Sequence, residues 1–369
     1  MILIFLSAIF IRPFISSLAF PSLNFFYFLG LLAILSGLII YKKVFFPKIH
    51  FLLPPIFLFI LVLLISLFFQ GSKINSLEQF CQYLGAMLLF LVVSSFSPQN
   101  KLLVVRTIMF SALAVSLLAI YQYFLGFTHL ASYLSVNQLS FPFALDYLKS
   151  RRVFIPFVTP NILGGYLAMV IPLFLINKDR SWLVLPVIFA LLLTMSVGAI
   201  FSLFCVLAIF CCVKKEIRKK YIFSLAGLFI LIMAIFIWRT CGSREHVHPA
   251  FSTLMRLNYW QETLAIIKAH PFIGIGLGNF NLTMSRYAHN TYLQIWAEIG
   301  PLGLLSFLWT VVTVFKSRFK DVPGLFNQRQ IFCLLAASTV FLIHNCWDFS
   351  FFLPEVAFIW WVILGLIVI

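Results

Sequence analysis

Acidic residues are scarce in this chain. Ten Asp and Glu stand against 26 Lys and Arg among 369 residues, and charged residues of both signs make up only 10%. A soluble domain usually carries about 25% charged residues, so this composition cannot cover an ordinary water-facing surface. The sequence has no CxxC or Cys/His spacing of a metal site and no evident internal repeat, which argues against a transporter built from inverted halves. Its cysteines form no disulfide framework. Cys81, Cys205, Cys211, Cys212 and Cys333 fall in apolar runs, where Cys usually serves as a small core residue. Cys241 and Cys346 fall on the outer side of the topology derived below and could pair in an oxidising compartment.

Apolar residues are what the chain has in quantity: 63% are hydrophobic and the mean hydropathy is +1.07. Several runs approach the roughly 20 residues that cross a bilayer as a helix, and none alternates as a barrel strand would. The sequence therefore predicts an all-α, polytopic membrane protein, one membrane domain over residues 1–369. Breaks in hydropathy place about twelve spans, at 2–20, 23–41, 51–69, 77–97, 102–126, 157–176, 181–197, 198–213, 221–238, 289–315, 329–345 and 352–369. The count falls to eleven if the closely spaced seventh and eighth are one. "MILIFLSAIFIRPF" has neither basic leader nor cleavage site and reads as a retained helix.

Charge orients the chain. Lys42, Lys43, Lys48, Lys101, Arg106, Lys178, Arg180, "KKEIRKK" (214–220), Lys316, Arg318, Lys320 and Arg329 all fall on one side if the N-terminus is cytoplasmic. That pattern puts both termini in the cytoplasm. Splitting the net charge of +16 among short loops argues against a nucleic-acid surface. The outer loops, 127–156 and 239–288, defy the trend. They carry Lys149, Arg151, Arg152, Arg239, Arg244, Arg256, Lys268 and Arg286, either as solvated loop surface or as a binding feature.

Within the second loop, apolar residues at 254, 257, 260, 264 and 267 predict an amphipathic helix over 250–270. Arg256, Gln261, Glu262 and Lys268 would lie on its polar face. "HPFIGIGLGNFNL" (270–282) lacks the full spacing of a dinucleotide fingerprint and reads as a tight backbone turn. His289 follows, read as the start of span ten with Tyr292, Leu293, Trp296 and Gly300 on its face. A neutral imidazole there could remove a proton, or simply bond to a loop. Tyr292 and Trp296 could stack on a sugar or anchor the helix at the interface. Glu298 turns to the opposite face, to pair with a neighbouring helix or pack at the Gly300-Pro301 break. His344 and Asp348, four apart, suit a His–carboxylate contact. "EHVH" (245–248) is a weak metal motif. Arg12 is an intramembrane charge, read as snorkelling to the outer interface.

"HNTYLQIWAEIGPLGLLSF" (289–307) resembles the signature of the O-antigen ligase and O-antigen polymerase family. "RLNYWQETLAIIKAHPFIGIGLGNF" (256–280), "RRVFIPFVTPNILGGYLAMVIPL" (151–173) and "HNCWDFSFFLPEVAFIWWVILGL" (344–366) are similar to further family segments, in the same order. The resemblance implies a GT-C-like membrane glycosyltransferase. It would transfer a glycan from an undecaprenyl-diphosphate carrier to an acceptor hydroxyl at the outer, periplasmic face of the bacterial inner membrane, with inversion. No cofactor or metal is implied, which agrees with the lack of any Asp-x-Asp pair. Ligation to lipid A–core is the leading expectation. Polymerisation on a second lipid-linked glycan or transfer to protein hydroxyls is the alternative, and a lipid-linked oligosaccharide transporter is the reading from another class.

The resemblance makes His289 the base and places Arg152 and Arg256 on the diphosphate, with Arg151, Arg244 and Arg286 as further candidates. Asn290, Trp296, Glu298, His344 and Asp348 would support them. Where the family often carries Ser-Arg-Gly, this chain reads Ser196-Val197-Gly198, so the guanidinium load must shift to those other arginines.

Overall fold

The computed structural model describes the chain except residues 43–50, 69–71, 137–147, 214, 243–248, 319–326 and 369. Arg244, the EHVH motif, Lys43, Lys48 and Lys320 thus lie outside the described residues. So do the side chains of Arg239 and Cys241, and with the latter the proposed cysteine pairing.

The described residues are helical and contain no strand. The helices are α1 (Ile2–Ile11), α2 (Pro21–Lys42), α3 (Leu53–Ser66), α4 (Lys73–Ser94), α5 (Pro98–Tyr121), α6 (Phe127–Val136) and α7 (Pro160–Phe174). They continue with α8 (Val184–Thr194), α9 (Val197–Val213), α10 (Lys215–Gly242), α11 (Pro249–Ala269), α12 (Thr291–Lys316), α13 (Gln328–His344) and α14 (Pro354–Ile367). Their starts follow ordinary capping chemistry. Ser97 and Thr159 accept from backbone N–H groups two residues into α5 and α7, each with proline at the first helical position. Asn327 and Gln330 close a reciprocal cap on α13.

Each apolar run of the sequence coincides with a helix, and Met195, in the left-handed region, separates the seventh from the eighth. Three boundaries differ, and one is that of the ninth run, whose helix already starts at Lys215. The first run is cut at Arg12-Pro13, because α1 ends at Ile11 and passes into a single tight turn. The fifth does not stop at 126 but runs through one π-turn, Gln122–Gly126, into α6. Among the described residues, four helical stretches are long and apolar enough to cross a membrane: Pro21–Ile40, Lys73–Ser94, Pro98–Val136 and Thr291–Lys316. The remaining apolar helices are shorter. The chain is an all-helical membrane protein.

The core forms around α14, which is buried along its whole length. It packs against α4 and α13, and Trp360 stacks on Phe341 with ring centroids 5.0 Å apart. At its far end Lys101 Nζ donates to Val368 O at 2.6 Å and Arg318 donates to Ile367 O. Two cations thus satisfy carbonyls that a helix C-terminus leaves open.

Arg12 does not snorkel. It is fully buried, donating to Ile15 O (3.0 Å) and Asn24 Oδ1 (2.8 Å), with Glu355 Oε2 at 3.4 Å. Its guanidinium lies 4.7 Å from the Tyr27 ring centroid. The paired carboxylate makes the interior the better place for this charge than the interface.

Candidate functional site

Several helix ends meet at one end of the bundle. The start of α7, the α8–α9 junction, α11 and the residues after α13 enclose a cavity of about 270 Å³. Its lining includes Asn161, Ser196, Val197, Gly198, Arg256 and Asp348. Small residues bring these elements together. A Cβ on Gly165 would fall 2.4 Å from His344 Nε2, so the α7–α13 contact depends on glycine there.

Arg256 lies on the inner face of α11. Its Nε donates to Trp347 O at 3.0 Å and one terminal nitrogen to Ser252 Oγ at 2.8 Å. Burial pulls the guanidinium below its ordinary pKa, while Asp348 and Tyr259 push the other way. Of the residues the sequence placed on the polar face of this helix, Arg256 turns inward to the cavity, whereas Gln261 and Lys268 are exposed. The buried positions of α11 are Thr263 and Ile267, whereas Leu254 and Leu264 face outward and the half-exposed Leu257 sits at the cavity rim. The hydrogen bonds to Arg256 offset its desolvation, and the outward leucines form the apolar stripe of a helix lying at an interface.

His289 precedes α12 rather than starting it, so the shared helical face with Tyr292, Leu293, Trp296 and Gly300 does not exist. The helix begins at Thr291, capped by Asn290, whose Oδ1 accepts from Tyr292 N and Leu293 N at 3.1 Å each. His289 itself sits at φ 51°, a left-handed conformation that non-glycine residues hold at a cost. Its ring stacks on Tyr259 (5.4 Å between centroids, 20° between planes) and meets Phe349 edge-on at 4.7 Å. Nδ1 is buried without a hydrogen-bond partner. Burial lowers the imidazole pKa to about 4; Arg256 adds to the fall and Asp348 opposes it. The ring is neutral at neutral pH.

Thr291 fixes this arrangement. Its N–H donates to Asn345 O (3.0 Å) and its hydroxyl to Asn345 Oδ1 (2.8 Å). The start of α12 is thereby stitched to the end of α13, which carries Asp348 toward His289. His344 Nε2 lies 3.1 Å from Asp348 Oδ2, within ion-pair reach though not aligned for a hydrogen bond. The expected contact forms, but not on one helical face, since α13 ends at His344 and Asp348 lies in the following turn. Burial alone would raise the Asp348 carboxyl; His344, His289 and Arg256 outweigh it and hold it below its ordinary value.

Arg152 stands one residue behind the wall. It donates from Nε to Thr194 O (2.9 Å) and from a terminal nitrogen to Asn161 Oδ1 (3.0 Å), which also accepts from Ser196 Oγ at 3.3 Å. The side chain is buried. It thus anchors a guanidinium beside the α8–α9 junction, close to Ser196 and Val197.

The other candidates go elsewhere. Arg151 is exposed, with its guanidinium 5.9 Å over the Tyr123 ring, and Arg286 is exposed outside the cavity lining. Tyr292 donates to Leu342 O (2.7 Å) and Trp296 Nε1 to Pro271 O (3.3 Å), so the two form no common platform on the cavity. Glu298 accepts from Gln294 Nε2 (2.9 Å) and Gly278 N (3.1 Å), holding the glycine turn to α12.

Asn161, Ser252, Tyr259, Trp347 and Phe349 were not singled out from the sequence. Ser252 and Tyr259 had a signal, because offsets of four and three from Arg256 share its helical face. Trp347 and Phe349 had none, since their contacts arise only when α12 and α13 meet.

No curated protein matches the chain. A family model described as O-antigen ligase matches residues 182–308. The matched stretch is about a third of the chain and holds the α8–α9 junction, Arg256 and His289, but not Arg152, Asn161, His344 or Asp348. Residues 182–308 are therefore similar to the O-antigen ligase family.

Proposed function

We propose that this chain transfers a glycan from a polyprenyl-diphosphate carrier to an acceptor hydroxyl, as an inverting, metal-independent transferase. The carrier is undecaprenyl diphosphate and the first choice of acceptor is lipid A–core. The site faces the periplasm across the inner membrane, with both termini cytoplasmic.

One observation carries the reading: a half-buried Arg256, hydrogen-bonded to Trp347 and Ser252, shares a cavity wall with Asp348 and is electrostatically coupled to a neutral His289. The acceptor oxygen forms its bond to the anomeric carbon as the bond from that carbon to the diphosphate oxygen breaks. The electron pair leaves with the lipid diphosphate, and the acceptor proton passes to His289. Arg256 and Arg152 stabilise charge on the departing group; a planar guanidinium can bond two phosphate oxygens at once. Arg256 also keeps the imidazole acidic while the cavity is empty. A bound dianion offsets that field and raises the basicity of His289 when a proton must be taken.

The test uses purified protein and a lipid-diphosphate glycan. H289A should lower turnover by about a hundredfold or more with donor binding retained, and R256A should weaken donor binding. Full turnover by H289A would overturn His289 as the base, and absence of any transfer by the wild type would favour a transporter or carrier. His344 is the second candidate for the base, because it lines the cavity and His289 does not. Turnover lost in H344A but kept in H289A would select it. Deletion of the gene followed by gel analysis of surface glycan separates the acceptors. Loss of all long chains on lipid A–core means ligation, and a single attached repeat means polymerisation.

A further inference from the structure

A second cavity, of about 400 Å³, lies at the opposite end of the bundle. It is bounded by α5, the turn Lys178–Leu183 before α8, and the start of α13. Each of these contributes one arginine: Arg106, Arg180 and Arg329. Among the described residues no acidic side chain lines the cavity, and the two ion pairs found there involve none of the three. The helices themselves set the separation from the first site. His344 and Arg329 lie at the two ends of α13, roughly 22 Å apart at 1.5 Å per residue. Asn161 and Ile176 bracket α7 in the same way, one in each cavity.

Like charges from three separate elements are not held around one hollow for their own stability, because each repels the others. A positive-inside bias accounts for basic residues on loops but not for their convergence on one cavity. An anion between them removes the repulsion. Asn177, Asn327 and Gln330 add amide groups near the arginines, and the α5 side is otherwise apolar, formed in part by Met109 and Phe110. Phe110 and Leu117, seven residues apart on one face of that helix, are 53% and 60% exposed. The cavity therefore adjoins an apolar helix face within one of the stretches long enough to cross a membrane.

We infer that Arg106, Arg180 and Arg329 bind the phosphodiester headgroup of an anionic phospholipid in the leaflet opposite the candidate active site, with an acyl chain lying along the Phe110 face of α5. The guanidiniums supply paired donors to phosphate oxygens. The start of α13 adds the favourable end of a helix dipole. The inference rests on the membrane reading and does not depend on the transfer chemistry.

Native mass spectrometry of the detergent-released full chain tests it, with phosphatidylglycerol and phosphatidylcholine offered in parallel. The wild type should keep phosphatidylglycerol adducts under activation that strips phosphatidylcholine. R106Q/R180Q/R329Q should lose those adducts by at least tenfold while remaining monodisperse. K149Q/K268Q/K316Q, which removes three exposed cations outside the cavity, should keep them. Equal retention of both lipids, retention by the arginine variant, or equal loss in the lysine control would overturn the proposal. Displacement of the lipid by millimolar inorganic phosphate would assign the site to a soluble anion and overturn the lipid assignment. Should the arginine variant aggregate, the single variants R106Q and R329Q carry the same comparison, each expected to weaken retention severalfold.

Discussion

His289 illustrates how far a side chain's chemistry depends on neighbours that its own segment does not reveal. As an isolated residue it would titrate near pH 6.5; stacked on Tyr259, against Phe349 and close to Arg256, it titrates near 4. The unfolded chain therefore binds a proton that the folded chain rejects, and stability rises with pH across that window. The expected result is a melting temperature that falls as the pH drops from about 6.5 to about 4, with H289Q showing a shallower fall. Thermal unfolding in detergent at a series of pH values measures it; an unchanged slope in H289Q would contradict the burial of the ring. Arg256 shows the same dependence in reverse. Its charge suggested an exposed face, yet the Trp347 carbonyl and Ser252 make the inward position tenable.

The break in α12 and the glycine turn before it form a single device. Gly300 adopts φ 72° and Pro301 offers no N–H, so carbonyls that would close the helix are freed. Ala297 O then accepts from Ile275 N at 2.9 Å and Glu298 O from Gly276 N at 3.0 Å. A Cβ at Gly300 would lie 2.0 Å from Phe272 O. G300A is therefore expected to cost about 2–4 kcal/mol, read as a drop in melting temperature, and to displace the segment leading to His289. Wild-type stability in that variant would show that the docking contributes little. The sequence already displayed both halves, "HPFIGIGLG" and "EIGP", and the turn was predicted from its glycines. Their meeting was not legible, because no local pattern says which carbonyls a loop amide will find. The apolar spacing of α11 likewise located the helix but not its inward side, since the outward Leu254 and Leu264 mimic a core stripe when the other solvent is lipid.

The charges divide between the two ends of the bundle and one buried pair. Cations near the starts of α5 and α13 surround the larger cavity, Arg152 and Arg256 attend the smaller one, and Arg12–Glu355 ties the first helix to the last. E355Q should cost about 3–5 kcal/mol by leaving the Arg12 charge uncompensated, whereas R12M/E355M should restore much of that loss. Unfolding of both variants in the same detergent makes the comparison, and equal losses would mean that packing rather than charge dominates.

Hydropathy was enough to establish that this is a helical membrane chain and nearly where its helices lie, because a bilayer penalises unpaired backbone so heavily that composition leaves few alternatives. Motif order was enough to point to the resemblance that the match over residues 182–308 shares, and to name His289, Arg152 and Arg256 as candidates. Folding alone decided that Arg151 and Arg286 stay outside the cavity, that Arg152 anchors the junction lacking an arginine at Val197, and that His344 and Asp348 join the wall. Those outcomes depend on which helix ends converge. Convergence is set by packing between residues far apart in the chain, and nothing in a local run of residues carries that information.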